Sequence, residues 1–199
     1  MLAIAAAEFI VPRLVTSLTH CRLASKMTAP TALHDDIKPL AWLLGRWRGD
    51  NGVGEFPTIK DFNYGEELYF YHTGQHYIHF QTRSWDVNTK KPMHGETGFI
   101  RRQADTNHVA ITIATNIGFS ELEEGEVNGE ELNTESRTVA GMSFFRLTPA
   151  TKIKRLIRRD GDSLEQTLWM ATEKTPLTQH LKIRYSRIQE DAAELKSVL

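Results

Sequence analysis

From Trp47 to Ile188 the chain is a succession of short runs with period-two alternation, and nowhere between them is there a helix long enough to bring two strands parallel. Strand-like segments span 47–56, 61–73, 76–87, 93–103, 108–116, 119–127, 131–139, 152–159, 163–172 and 181–188. Turn chemistry separates them, with Asn128-Gly129 and Asp160-Gly161 the strongest hairpin signals and Thr73-Gly74 and Asp105-Thr106 weaker ones. Consecutive short strands with short connections predict an antiparallel meander, which closes most simply into an all-β, ten-stranded up-and-down barrel. The alternation gives it one buried and one wet face: Leu181, Ile183 and Tyr185 oppose Lys182, Arg184 and Ser186. A barrel of this size keeps a mouth wide enough for a small ligand.

Ahead of the strands, Asp35 and Asp36 are N-cap candidates for a helix over 37–44, stopped by Gly45. The expected division is an N-terminal extension over 1–28, a barrel domain over 29–190 and a tail over 191–199. The apolar start is too short to cross a bilayer and Glu8 interrupts it, so export is disfavoured. A cytoplasmic address is expected, or a mitochondrial one if residues 1–26 act as a presequence.

Composition enters as a set of exclusions. One cysteine, Cys21, rules out a disulfide framework or a Cys-based zinc cluster within one chain. A formal charge of -1 is a poor footprint for a nucleic-acid partner, and 25% charged residues argue against membrane residence. The signatures of α/β-hydrolases, P-loop proteins and zinc proteases are missing. Gly49, Gly52 and Gly54 read as a barrel-corner feature. The acidic run Glu121, Glu123, Glu124 and Glu126 reads as a solvated edge that resists pairing, with nothing apolar nearby to raise a carboxylate pKa.

Histidine carries more information. Eight are present. His76 and His79, three apart, fall on opposite faces of a strand and cannot chelate together. His72 and His76 could meet across a hairpin as zinc ligands, although no third ligand is evident. His94 stands in the apolar-flanked Pro92-Met93-His94 segment, where an ordinary hydrogen-bonded role is equally open. His180 follows the loop 175–179 at the start of the last strand, a rim position suited to an axial haem ligand.

Several segments together resemble a known family: Pro39-Leu40-Ala41-Trp42-Leu43-Leu44-Gly45-Arg46-Trp47-Arg48-Gly49, Phe56-Pro57-Thr58-Ile59, Lys91-Pro92-Met93-His94, Met170-Ala171-Thr172 and Pro176-Leu177-Thr178-Gln179-His180-Leu181. Over 33–188 the chain resembles nitrobindin, in particular the nitrobindin-like domain that follows a zinc-binding THAP domain in some animal proteins. The resemblance implies a ten-stranded barrel like the fatty-acid-binding proteins, carrying one haem b in a cleft at one end. It implies His180 as axial iron ligand, Thr58 beside the haem, and Met93, His94 and Met170 flanking it. It also implies an isomerase that converts peroxynitrite to nitrate at ferric haem and binds nitric oxide. His94, where it lies over the open face of such a haem, is expected to donate a hydrogen bond to the bound anion. The competing reading is a non-catalytic carrier or sensor of haem or another apolar ligand, and a homodimer stays open.

Two features sit awkwardly with the resemblance. The family's G-x-W-x-G-x-G box reads Gly45-Arg46-Trp47-Arg48-Gly49-Asp50-Asn51 here, with the last glycine displaced to Gly52. Simple alternation also points His180 away from Leu181, Ile183 and Tyr185. Either His180 precedes the strand proper, or the haem lies across the mouth and is met from the rim; the second is the expected arrangement.

Overall fold

The computed structural model describes residues 32–144 and 150–188. The N-terminal extension (1–28) and C-terminal tail (191–199) expected from the sequence lie outside the described residues. Ten antiparallel strands close into a barrel: β1 Gly45–Gly54, β2 Phe62–Tyr71, β3 Tyr77–Asp86, β4 Pro92–Arg102, β5 His108–Thr115, β6 Phe119–Asn128, β7 Glu131–Gly141, β8 Ala150–Asp160, β9 Ser163–Thr172 and β10 Thr175–Ile188. Each strand pairs with its sequence neighbour, and β1 pairs with β10 to close the ring. This is the expected meander. Gly129 and Gly161 adopt the positive φ of 60° that the two strongest hairpin turns require.

The expected helix is present but tighter. It is a 3-10 helix over Asp35–Leu43, capped by the side chain of His34, whose Nδ1 accepts from the Asp36 N–H, with Pro39 inside. The cap is therefore His34 and not either aspartate. A proline in that position removes an i to i−4 donor, so the wider helix has little to gain. Ile37, Leu40 and Leu43 are fully buried under the barrel end and plug it.

Trp47 joins plug to barrel. Its ring is fully buried, its Nε1–H donates to the Leu43 carbonyl at 2.7 Å, and the Arg187 guanidinium lies 4.6 Å above the ring centroid. Around it pack Leu68, Ile78, Ile100, Val109, Leu132 and Tyr185 from the facing strands. This closed half of the barrel is filled: the void among Phe70, Phe80, Ile111, Ile157 and Gln166 is only about 10 Å³.

The displaced glycine of the G-x-W-x-G box has a structural outcome. β1 shifts register between Gly49 and Gly52, where Gly49 pairs with Glu66 and Gly52 with Tyr64, so β1 spends one residue more than β2. The bulge absorbs the insertion. A Cβ at Gly49 would lie 2.3 Å from the Arg184 carbonyl oxygen, which shows how closely β10 approaches there.

Replacing Trp47 with Ala empties a fully buried volume and orphans the Leu43 carbonyl. We expect a loss of about 3–5 kcal/mol, read as a lower urea midpoint with unchanged slope in the apoprotein.

Candidate functional site

Alternate hairpins of an up-and-down barrel open at the same end, so the connections 55–61, 87–91, 116–118 and 173–174, and the described residues 142–144 after β7, all lie opposite the helical plug. That end is the mouth, and His180, His94, Met93, Met170 and Thr58 all belong to it.

His180 does not precede the last strand, because β10 begins at Thr175 and includes the segment expected as a loop. Alternation fails for another reason. Gln179 pairs with Trp169 and Leu181 with Leu168, so His180 is the extra residue of a bulge. The Glu55 N–H donates to the His180 carbonyl at 2.8 Å, and the His180 Nδ1–H donates back to the Glu55 carbonyl at 3.0 Å. A carbonyl can only accept, which places the ring proton on Nδ1 and leaves the lone pair on Nε2. The rings of Phe56 and Phe62 meet the imidazole edge-on at 5.4 and 6.3 Å. Burial lowers the His180 pKa, outweighing the Glu55 bond, with a small further push from His94. The ring is therefore neutral at neutral pH.

His94 also sits at a bulge, between the pairs Arg83 with Gly95 and Trp85 with Pro92. The Ser84 hydroxyl fixes its backbone by accepting from His94 N at 3.0 Å and donating to its carbonyl at 3.2 Å. The ring Nε2 lies 3.3 Å from Glu96 Oε1 and stacks beside Phe119. Met170 is half-buried and in phase with the inward residues Leu164, Gln166 and Leu168 of β9. Met93 is 37% exposed at the rim, and Thr58 is exposed in the turn closed by the Ile59 N–H to Phe56 carbonyl bond.

Beneath the mouth lies a charged floor that the sequence reading did not find. Arg155, buried on β8, pairs with Glu96 at 3.2 Å and with Glu123 at 3.2 Å. Thr134 donates its hydroxyl to the second oxygen of Glu123. The Tyr185 hydroxyl donates to Glu66 at 2.5 Å. The expected solvated edge at the acidic run is half wrong: Glu121 and Glu123 are almost fully buried, while only Glu124 and Glu126 face outward. Glu121 and Glu123 share the inward phase of Val127 in unbroken alternation, which leaves Leu122 on the outside at 48% exposure; the register shift beside them is a bulge at Arg137 on β7.

The carboxylates divide by environment. Burial pushes Glu121 up to about 9, reinforced by Glu96 and Glu123 against the pull of Arg155. Burial likewise raises Glu66 to about 7 despite the Tyr185 bond. Burial alone would raise Glu96 too, but Arg155 and His94 overcome it and hold it near 2. The interior is thus apolar enough to perturb carboxyl groups strongly, contrary to the sequence expectation.

The signal was in the phase of β8. Arg155 falls between Ile153 and Ile157 on one face, a cation within an apolar stripe, and Glu66 stands likewise between Tyr64 and Leu68. The zinc pairing considered for His72 and His76 finds no support: no group of three metal-ligating side chains occurs among the described residues. His72 Nδ1 instead accepts from the Gly74 N–H.

His180 offers what an iron porphyrin requires of its protein: a neutral imidazole with its second nitrogen tied to a carbonyl, among aromatic and thioether side chains. The residues present fit such a group. Tyr64 Oη and Glu121 Oε2, buried without a protein hydrogen-bond partner, mark the space below as polar.

Comparison with known proteins agrees with this chemistry. Residues 36–187 match the family described as "THAP4-like, heme-binding beta-barrel domain". The mouse protein named Peroxynitrite isomerase THAP4 is 45% identical over 161 residues, 80% of this chain; the chain spans only 28% of that relative's length. A Nocardia farcinica protein named Peroxynitrite isomerase is 39% identical over 154 residues, covering 75% of this chain and 89% of the relative. The crystal structure of Rv2717c from M. tuberculosis superposes with a TM-score of 0.72 at 31% identity, covering 79% of this chain and 100% of that one.

Two experiments test the floor. Glu66 and Glu121 carry folded pKa values above their unfolded value near 4.5, so the folded state binds more protons. Their stabilising contribution is complete below pH ~4.5 and is lost as pH rises towards 7 and 9 respectively. Glu121→Gln, which mimics the protonated form, is expected to raise the melting temperature of the apoprotein at pH 9 and leave it unchanged at pH 4. Arg155→Met strands Glu96 and Glu123 and is expected to cost about 3–5 kcal/mol by chemical denaturation at pH 7.

Proposed function

This chain belongs to the THAP4-like, heme-binding beta-barrel family, and we propose that it holds one haem b across the barrel mouth through His180 and isomerises peroxynitrite to nitrate there, with nitric oxide as a second ligand. The observation that carries the reading is the bulged His180 with Nδ1 committed to the Glu55 carbonyl and Nε2 available. The names of the mouse and Nocardia relatives support the reaction class.

The packed lower half supports a position at the mouth, because a void of about 10 Å³ admits no tetrapyrrole. When bound, the haem iron supplies a Lewis acid at which a peroxo anion can rearrange without loss of atoms. The remaining work falls to side chains. Glu55 fixes the His180 tautomer and makes Nε2 a better donor. Phe56, Phe62 and Met170 provide the apolar packing, with Met93 at the rim. His94, held by Ser84 and Glu96, presents a ring from the opposite strands that can hydrogen-bond a small anion. Thr58 supplies a hydroxyl at the rim.

The test is His180→Gly in the haem-reconstituted protein. We expect loss of the Soret band at unchanged far-UV circular dichroism, and its return on adding free imidazole, which can occupy the vacated position. Nitrate formation from peroxynitrite should fall and recover in parallel. A variant that keeps the parent spectrum without imidazole would overturn the assignment.

A further inference from the structure

The two ends of the barrel differ in a way that ligand binding inside it does not demand. Every one of the five mouth hairpins carries a large apolar side chain turned to solvent: Ile59, Met93, Ile117, Phe144 with neighbouring Met142, and Leu177, between 37% and 74% exposed. The four connections at the closed end, 72–76, 103–107, 129–130 and 161–162, carry none. Val53, Phe99 and Leu122 are exposed on strands as well, and scattered residues of that kind are ordinary, but one on every hairpin of one end and none on the connections of the other is not.

Charge follows the same division. The mouth connections bring Lys60, Lys90, Lys91 and Lys174 to the rim beside Glu55, Asp61 and Glu173, whereas the hairpin connections at the closed end carry only Asp105, Glu130 and Asp162, and the one lysine of the plug, Lys38, is paired with Asp35. None of the four lysines makes a salt bridge among the described residues; their long stems keep the ammonium groups free to reach outward. Apolar side chains at the tip with lysines around them are the pattern of a surface that sits in the headgroup region of an anionic bilayer. A protein partner would need complementary shape from five separate loops. A lipid surface needs only apolar depth and positive charge.

We propose that the barrel mouth docks onto anionic lipid bilayers, with Ile117 and Phe144 entering the interface and Lys90 and Lys91 meeting lipid phosphates. The orientation sets the open end of the barrel against the membrane. This is peripheral contact, distinct from crossing: no described helix is long and apolar enough to span. An apolar ligand could then pass between bilayer and barrel without entering water. The docking stands apart from the reaction, since it concerns the outer rim and not His180.

Flotation of the full chain with 100 nm vesicles tests it, comparing phosphatidylcholine alone with a mixture containing phosphatidylserine. We expect binding to the anionic vesicles, little to the neutral ones, and loss on adding salt. Lys90→Glu with Lys91→Glu should lower partitioning by at least about fivefold for each lysine lost. Ile117→Ser with Phe144→Ser should abolish it, while Leu122→Ser, an equally exposed residue on the barrel flank, should have no effect. Apoprotein and haem-loaded protein should bind alike. Absence of binding to anionic vesicles overturns the proposal, as does loss of binding on haem loading, which would make the rim a cover for the ligand. A doubled mass in solution that Ile117→Ser abolishes, without vesicle binding, would assign the rim to a second copy of the chain instead. Failure of His180→Gly to lose haem leaves these outcomes unaffected, so the two readings fail separately.

Discussion

Closure of the ring between β1 and β10 is the contact on which everything else depends. These strands are the most distant in sequence, and their pairing carries the largest loop-closure cost in the fold. Their ladder is also irregular, jumping between Arg48 and Val53. The Glu55 and His180 backbones, exchanging contacts at the end of that ladder, both lock the ring and aim the imidazole. The same few bonds therefore complete the barrel and build the candidate ligand position, so the site cannot exist in a partly open sheet.

Below the mouth, Arg155 and its two carboxylates occupy a layer where an ordinary small barrel would be apolar. Removing guanidinium and carboxylates from water is costly, and the pairing recovers the cost only while every partner is in place. The arrangement contributes less to stability than hydrophobic replacements would. What it supplies is a fixed boundary: apolar packing on one side, polar mouth on the other, with Glu96 reaching from Arg155 to His94. His94 is thereby tied to the floor and not merely to its own strand.

Interior and rim follow opposite rules in this molecule. Charges are buried in the barrel at Arg155, Glu96 and Glu123, beside a Glu121 that burial keeps protonated, while large apolar side chains stand in solvent at Ile59, Ile117 and Phe144. Neither placement favours the isolated folded chain. Both concentrate at the end that carries His180, which is where a protein is expected to depart from pure stability.

By itself, the order of residues determined the number of strands, their antiparallel order, the turns at Gly129 and Gly161, and the identity of the histidines worth weighing. These follow from period-two alternation and local turn chemistry, which need no knowledge of distant partners. Tertiary structure decided the direction of His180 and the burial of Glu121 and Glu123. For His180 a bulge slips the alternation by one residue and so turns the side chain, whereas Glu121 and Glu123 keep the phase of Val127 and are held inside beside a cation from another strand. The bulge at His180 is set by the neighbouring strand at Trp169 and Leu168, and the burial of Glu123 by Arg155, 32 residues further along the chain. Period two tells which residues share a face, but not that a cation on another strand makes burial of a carboxylate tolerable.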